Sequence, residues 1–211
     1  MKKILLIGDS IREGYDKYVK MAFEGVADVI YPNENCRDSG YIIRQIVFWR
    51  QRMPLGEDID LVHFNAGLWD DLHMYDGKKL NSIDKYEENI DRICTIFKKI
   101  FPKAKLIFAT STPVQEELFG ELKRYNKDTE EYNAVATAVV KKHGGTINDL
   151  YAITKDMPKS YYSDLTHLYT KDGTALLTRQ VVKAIEEALD IKGKELDYDE
   201  LFKETNKFLG I

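Results

Sequence analysis

Two short clusters near opposite ends of the chain carry residue types that can do chemistry together. Asp164 and His167 stand three residues apart in Asp164-Leu165-Thr166-His167, and Ser10 closes Gly8-Asp9-Ser10 after the first apolar run. A serine hydroxyl is a poor nucleophile at neutral pH. It needs an imidazole to take its proton and a carboxylate to hold that imidazole in the right tautomer. An Asp and a His three apart on a turn can join carboxylate to Nδ1 and leave Nε2 free to face a serine. Each cluster also has a plainer use: Ser10 as the cap of the helix that follows it, and Asp164 as the cap of a surface turn.

Those side chains act together only if the fold returns both ends of the chain to one place. Five short apolar runs, at 3–7, 28–31, 59–65, 105–110 and 146–148, alternate with segments at 11–24, 40–52, 83–101, 129–143 and 171–190. In the latter, apolar residues recur at three- and four-residue spacing, which is the helical period. The alternation predicts an α/β domain, a flavodoxin-like three-layer α/β/α sandwich with a parallel sheet of about five strands. Pro102, Pro113 and Gly144-Gly145 fall where elements should end. In such a sheet, ligands bind beyond the carboxyl ends of the strands, near the point where strand order reverses. A residue directly after the first strand and a loop before the last helix both fall there.

At 211 residues the chain is read as one domain over 1–190, followed by a charged extension over 191–211. The extension carries Leu201, Phe202, Phe208 and Leu209 and reads as a helix packed on the same domain or against a partner subunit. Basic and acidic residues number 31 and 35, for a net charge of -4 with no basic stripe, so no nucleic-acid partner is indicated. Cys36 and Cys94 lack metal-ligand spacing and read as free thiols. His63, His73 and His143 form no ligand pair, and His63 reads as a core histidine. No run approaches the roughly 20 apolar residues of a membrane span, and the first run is too short for a signal-peptide core. The expectation is a soluble cytoplasmic protein with no membrane partner.

Taken together, Gly8-Asp9-Ser10 and Asp164-Leu165-Thr166-His167 resemble the first and last blocks of the SGNH, or GDSL-type, hydrolase family. Their order and positions fit that family to about residue 190. The resemblance implies Ser10 as nucleophile, His167 as base and Asp164 as the carboxylate that orients it. It further implies two middle blocks that hold an oxyanion alongside the backbone of Ser10, through a glycine N–H and an asparagine side chain. Gly40, in Asn35-Cys36-Arg37-Asp38-Ser39-Gly40, is assigned to the second block, because a backbone N–H must approach the oxyanion unobstructed. Ser39 is the alternative, as helix cap or as donor.

The third block departs from the pattern. Asn65-Ala66-Gly67-Leu68-Trp69-Asp70 has Trp69 where the asparagine belongs. Asn65 is then either the replacement donor or a loop anchor. Trp69, assigned with Asp9 to substrate binding, either stacks on substrate or closes the strand. Asp70 and Asp71 read as caps of the next segment. Arg37 and Arg44 either bind an anionic group or lie exposed, and Tyr161 and Tyr162 either line the pocket or pack the loop.

The expectation is a serine esterase acting on small O-acyl esters, with no metal or organic cofactor. The resemblance implies short acyl groups on carbohydrates as substrates. Rival readings are a binding module without turnover, an O-acyltransferase using the same residues, and a nucleotide- or flavin-binding domain. The last lacks a glycine-rich phosphate loop after the first strand.

Overall fold

The strand runs are apolar at successive positions without alternation, which suits strands buried on both faces of a parallel sheet. In the computed structural model, which describes residues 1–209 and their side chains as far as Lys203, they form β1 (Lys2–Ile7), β2 (Ala27–Ile30), β3 (Leu61–Phe64), β4 (Lys105–Ala109) and β5 (Thr146–Asn148). All pair in parallel in the order β2-β1-β3-β4-β5, with Ile4 opposite Leu61 and Ile7 opposite Phe64. The order reverses between β1 and β3, so a crevice is expected at their carboxyl ends.

Seven α-helices accompany them among the described residues: α1 (Ser10–Ala22), α2 (Ser39–Arg52), α3 (Ile83–Ile100), α4 (Asn126–Lys142), α5 (Leu150–Thr154), α6 (Lys171–Leu189) and α7 (Tyr198–Leu209). Leu5, Ile7, Val62, Phe64 and Phe108 face one way, onto α2, α3 and α4. Ile4, Leu6, Val29 and Ile107 face the other way, onto α1 and α6. This is the expected three-layer sandwich, and its sheet has the strand order of flavodoxin-like folds.

Two elements differ from the sequence expectation. Helix α4 begins at Asn126, three residues before 129, because a polar first turn shows no apolar period. Asn126 also clamps the loop after β4, its side chain pairing with both backbone groups of Val114. The five-residue α5 is too short to show a period and rests on Asp149, whose carboxylate accepts the Ala152 N–H.

Beyond α6 the chain folds back. Tyr198 is buried against Tyr18 and Ala175, and the Phe202 ring stacks on Tyr18 with centroids 6.0 Å apart. Phe208 and Leu209, named above in the tail, have side chains outside the described residues. No helix among the described residues is long and apolar enough to cross a membrane.

Candidate active site

The chain leaves β1 at Ile7 and turns directly into α1. Asp9 is the N-cap, its carboxylate accepting the Ile11 N–H at 2.9 Å, and Ser10 is the first helical residue. The plainer use foreseen for Ser10 thus falls to its neighbour, and the Ser10 hydroxyl is free for another partner. That partner is His167, whose Nε2 lies 2.7 Å from Ser10 Oγ.

Asp164 does two jobs at once. Its Oδ1 accepts the backbone N–H groups of Thr166 at 2.7 Å and His167 at 2.8 Å, which closes the turn. Its Oδ2 lies 2.7 Å from His167 Nδ1. Burial pushes Asp164 up, but those N–H groups and the imidazole outweigh it and hold the carboxyl below its usual range. The carboxylate therefore stays charged where it must orient the imidazole.

Tyr169 was not singled out from the sequence, although it stands only two residues beyond His167. Its ring stacks on His167, with centroids 4.6 Å apart and planes at 26°, and its hydroxyl donates to the Ser10 carbonyl. Gly14 makes room for it, since a Cβ there would strike the Tyr169 ring. Gln115 braces the loop from outside, its N–H donating to the Leu165 carbonyl and its side chain to that of Asp164, each at 2.9 Å. Tyr162 packs, with its hydroxyl on the Pro113 carbonyl at 3.2 Å, and Tyr161 lies partly buried against the core.

The oxyanion assignments fare differently. Asn65 is 2 % exposed, and its Nδ2 donates to Asp9 Oδ1 at 3.0 Å. A Cβ on Gly8 would collide with its amide oxygen, so the amide packs against that glycine. Through its bond to Asp9, Asn65 anchors the strand end, with one N–H of its amide taken. Asp9, assigned above to substrate binding, is fully buried, and its carboxylate holds the start of α1 and Asn65.

Gly40 sits one residue inside α2, between Asp38 and Asn89. The part of this loop that hydrogen-bonds to the β1 end is Cys36, whose N–H donates to the Gly8 carbonyl at 3.0 Å. The next residue, Arg37, holds a left-handed φ of 51°, the backbone form that favours glycine, immediately before the N-cap Asp38. Gly40 thus stands three residues beyond that turn, in the first turn of α2. Ser39 is neither cap nor free donor, because its N–H and hydroxyl both go to Asp70.

Asp70 and Asp71 do not cap the segment after them. Asp70 is fully buried and gathers Ser39 and the Asn81 amide, while Asn89 donates to Ser39 Oγ. Burial pushes it up to about 7, against the pull of Ser39 and Asn81. Asp71, also buried, accepts from Thr129 Oγ1 at 2.7 Å and is pushed up by burial to about 6. Trp69 is half-buried, and its indole N–H meets no acceptor among the described residues.

Arg12, also unforeseen, is 1 % exposed and ties the second loop down. It donates to the carbonyls of Pro32 and Glu34 and pairs with Asp16. Arg37 and Arg44 instead lie over the Tyr41 ring, on the surface. His63 is fully buried beside Asn148, and burial lowers it to about 3. His73 and His143 pair with Asp128 and Asp91.

A serine at the start of a helix after β1, an imidazole at its hydroxyl and a carboxylate behind that imidazole occupy the switch point of a five-stranded parallel sheet. Solved GDSL-type lipases and acylhydrolases share this fold. The lipase/acylhydrolase from Enterococcus faecalis matches with a TM-score of 0.71 at 23 % identity, covering 93 % of this chain and 100 % of its own. A GDSL-like lipase from Bacteroides thetaiotaomicron gives 0.66 at 21 % identity, covering 89 % of each chain. An acetyl xylan esterase gives 0.65 at 18 % identity, over 87 % of this chain and 99 % of its own. No protein-family profile matches the chain, and no curated protein matches its sequence.

Proposed function

We propose that the protein is a serine esterase that hydrolyses small O-acyl esters, with Ser10 as nucleophile, His167 as general base and acid, and Asp164 as the group that orients His167. The carrying observation is the unbroken chain from Asp164 Oδ2 through both ring nitrogens of His167 to Ser10 Oγ, two contacts of 2.7 Å each. Ser10 Oγ bonds to the ester carbonyl carbon while its proton passes to His167 Nε2, and the carbonyl electron pair moves onto oxygen. The tetrahedral intermediate re-forms its carbonyl, the bond to the alcohol breaks, and the leaving alkoxide takes the proton from His167. Water then repeats the sequence on the acyl-enzyme, with His167 again as base. The backbone N–H of Ser10, in the first turn of α1, is one donor to the oxyanion.

Short acyl groups carried on carbohydrates are the substrate class we favour. The half-buried Trp69 and the Tyr169 ring against His167 offer aromatic faces of the kind on which sugar rings stack. The acetyl xylan esterase among the fold relatives supports the same reading.

The test is hydrolysis of p-nitrophenyl acetate by the purified protein and by Ser10→Ala. Turnover by the wild type that the variant lacks is the expected result, and equal rates would remove Ser10 from the mechanism.

A further inference from the structure

Arg124 lies in the strap between β4 and α4, and that strap spans the site. At one end Pro113 and Gln115 hydrogen-bond to Tyr162, Asp164 and Leu165 of the loop that carries His167. At the other, the Arg124 Nε–H donates to the carbonyl of Leu68, whose peptide leads into Trp69. The guanidinium lies over the Phe119 ring, 5.6 Å from its centroid, and the side chain is only 11 % exposed.

The neighbouring carboxylate does not satisfy it. Asp71 Oδ1 is 3.8 Å from Nε, beyond hydrogen-bond distance, and the other oxygen is engaged by Thr129. Neither Nη group bonds to any described residue, and neither is sealed from solvent. The charge is near enough to bear on Asp9, the residue before Ser10. A guanidinium only 11 % exposed, with Nη groups that reach solvent and have no protein acceptor, is a donor that an electron-rich oxygen can engage.

The same crevice departs from the related donor pattern. Trp69 stands where that pattern has an asparagine amide, and one N–H of the Asn65 amide is taken by Asp9. We infer that the Nη groups of Arg124 supply the missing oxyanion donor, an assignment that rests on the esterase reading above. When Ser10 Oγ bonds to the carbonyl carbon and its proton passes to His167, the electron pair that moves onto the carbonyl oxygen is held by Arg124 and the Ser10 N–H. The pair returns to re-form the carbonyl as the alcohol leaves with the proton from His167, and Arg124 keeps its own protons throughout. A donor that meets negative charge only in the transition state lowers kcat when removed and leaves KM nearly unchanged.

The experiment measures the rate at which a neutral fluorophosphonate labels Ser10, read by intact mass, because its phosphoryl oxygen takes the oxyanion's place. Wild type is compared with Arg124→Ala, Arg124→Lys, and Arg124→Ala supplied with methylguanidinium, alongside kcat and KM on p-nitrophenyl acetate. Labelling and kcat are expected to fall about a hundredfold in Arg124→Ala, with partial recovery in Arg124→Lys and on adding methylguanidinium. If Arg124→Ala does not fold by circular dichroism, Arg124→Gln is judged by the same criterion. Equal labelling of wild type and variant, or a loss confined to KM, overturns the assignment and leaves the esterase reading standing. A wild type that takes no label overturns both.

Discussion

The loop carrying Asp164 and His167 is partly open to solvent, with side chains 45 % and 25 % exposed, yet both carboxylate oxygens and both ring nitrogens have partners. Across the crevice, the segment after β3 is almost wholly buried, yet Asn65 Oδ1 and Asp71 Oδ1 have none. The first region obtains its geometry from one carboxylate that closes a turn and orients a ring. The second is a buried polar scaffold built of pairs, Asn65 with Asp9 and Ser39 with Asp70. In the proposed mechanism, nucleophile activation is specified locally, whereas oxyanion binding draws on groups from distant elements, with Arg124 proposed among them.

Breaking the first region should have the largest effect. His167→Ala is expected to lower kcat on p-nitrophenyl acetate about ten-thousandfold, matching Ser10→Ala, because the two act as one unit. Asp164→Asn keeps the turn but loses the charge that selects the tautomer, and should cost about a hundredfold or more in kcat. Steady-state kinetics on both variants decides the matter, and additive losses in the double variant would show that the chain of hydrogen bonds does not work as a unit.

The second region should answer in stability. Asp70→Ala leaves the Ser39 N–H and hydroxyl and the Asn81 amide without their acceptor, and a loss of about 2 to 3 kcal/mol in urea denaturation is expected. Asp70 also sets a pH dependence. Because burial raises its folded value from 3.8 to about 7, the folded state binds the extra proton, so stability falls as pH rises through that window. The drop in melting temperature between pH of about 5 and about 8 should be smaller in Asp70→Asn than in wild type. A residual slope is expected from Asp71, which burial raises to about 6.

The smallest expected effect joins the two regions. Trp69→Asn, introduced into Arg124→Ala, places an amide at position 69, and should recover kcat about tenfold at equal folded fraction. No recovery would mean that the backbone around Trp69 has moved too far for an amide there to reach the oxyanion.

The layered α/β fold was legible because its strands are short apolar runs and most of its helices keep a clean period. The triad candidates were legible for a related reason: each cluster is contiguous in sequence, and the fold returns both to one sheet edge. The surroundings of Gly40, Asn65 and Asp9 were not legible, because burial and partner choice do not show in local spacing. The turn before α2 was hidden, since a left-handed φ at Arg37 leaves no glycine to find. Arg124 meets Leu68 across 56 positions, which no periodicity encodes. Tyr169 and Arg12, two residues beyond His167 and Ser10, were near enough to notice, but only the packing shows what they hold.

The central claim is that Ser10 is a nucleophile activated by His167. Exposure to a fluorophosphonate, followed by digestion and mass spectrometry, tests it directly. One adduct per chain on Ser10, absent from His167→Ala, is the predicted result. An unmodified Ser10 in the wild type, or an adduct that forms equally well without His167, would contradict it.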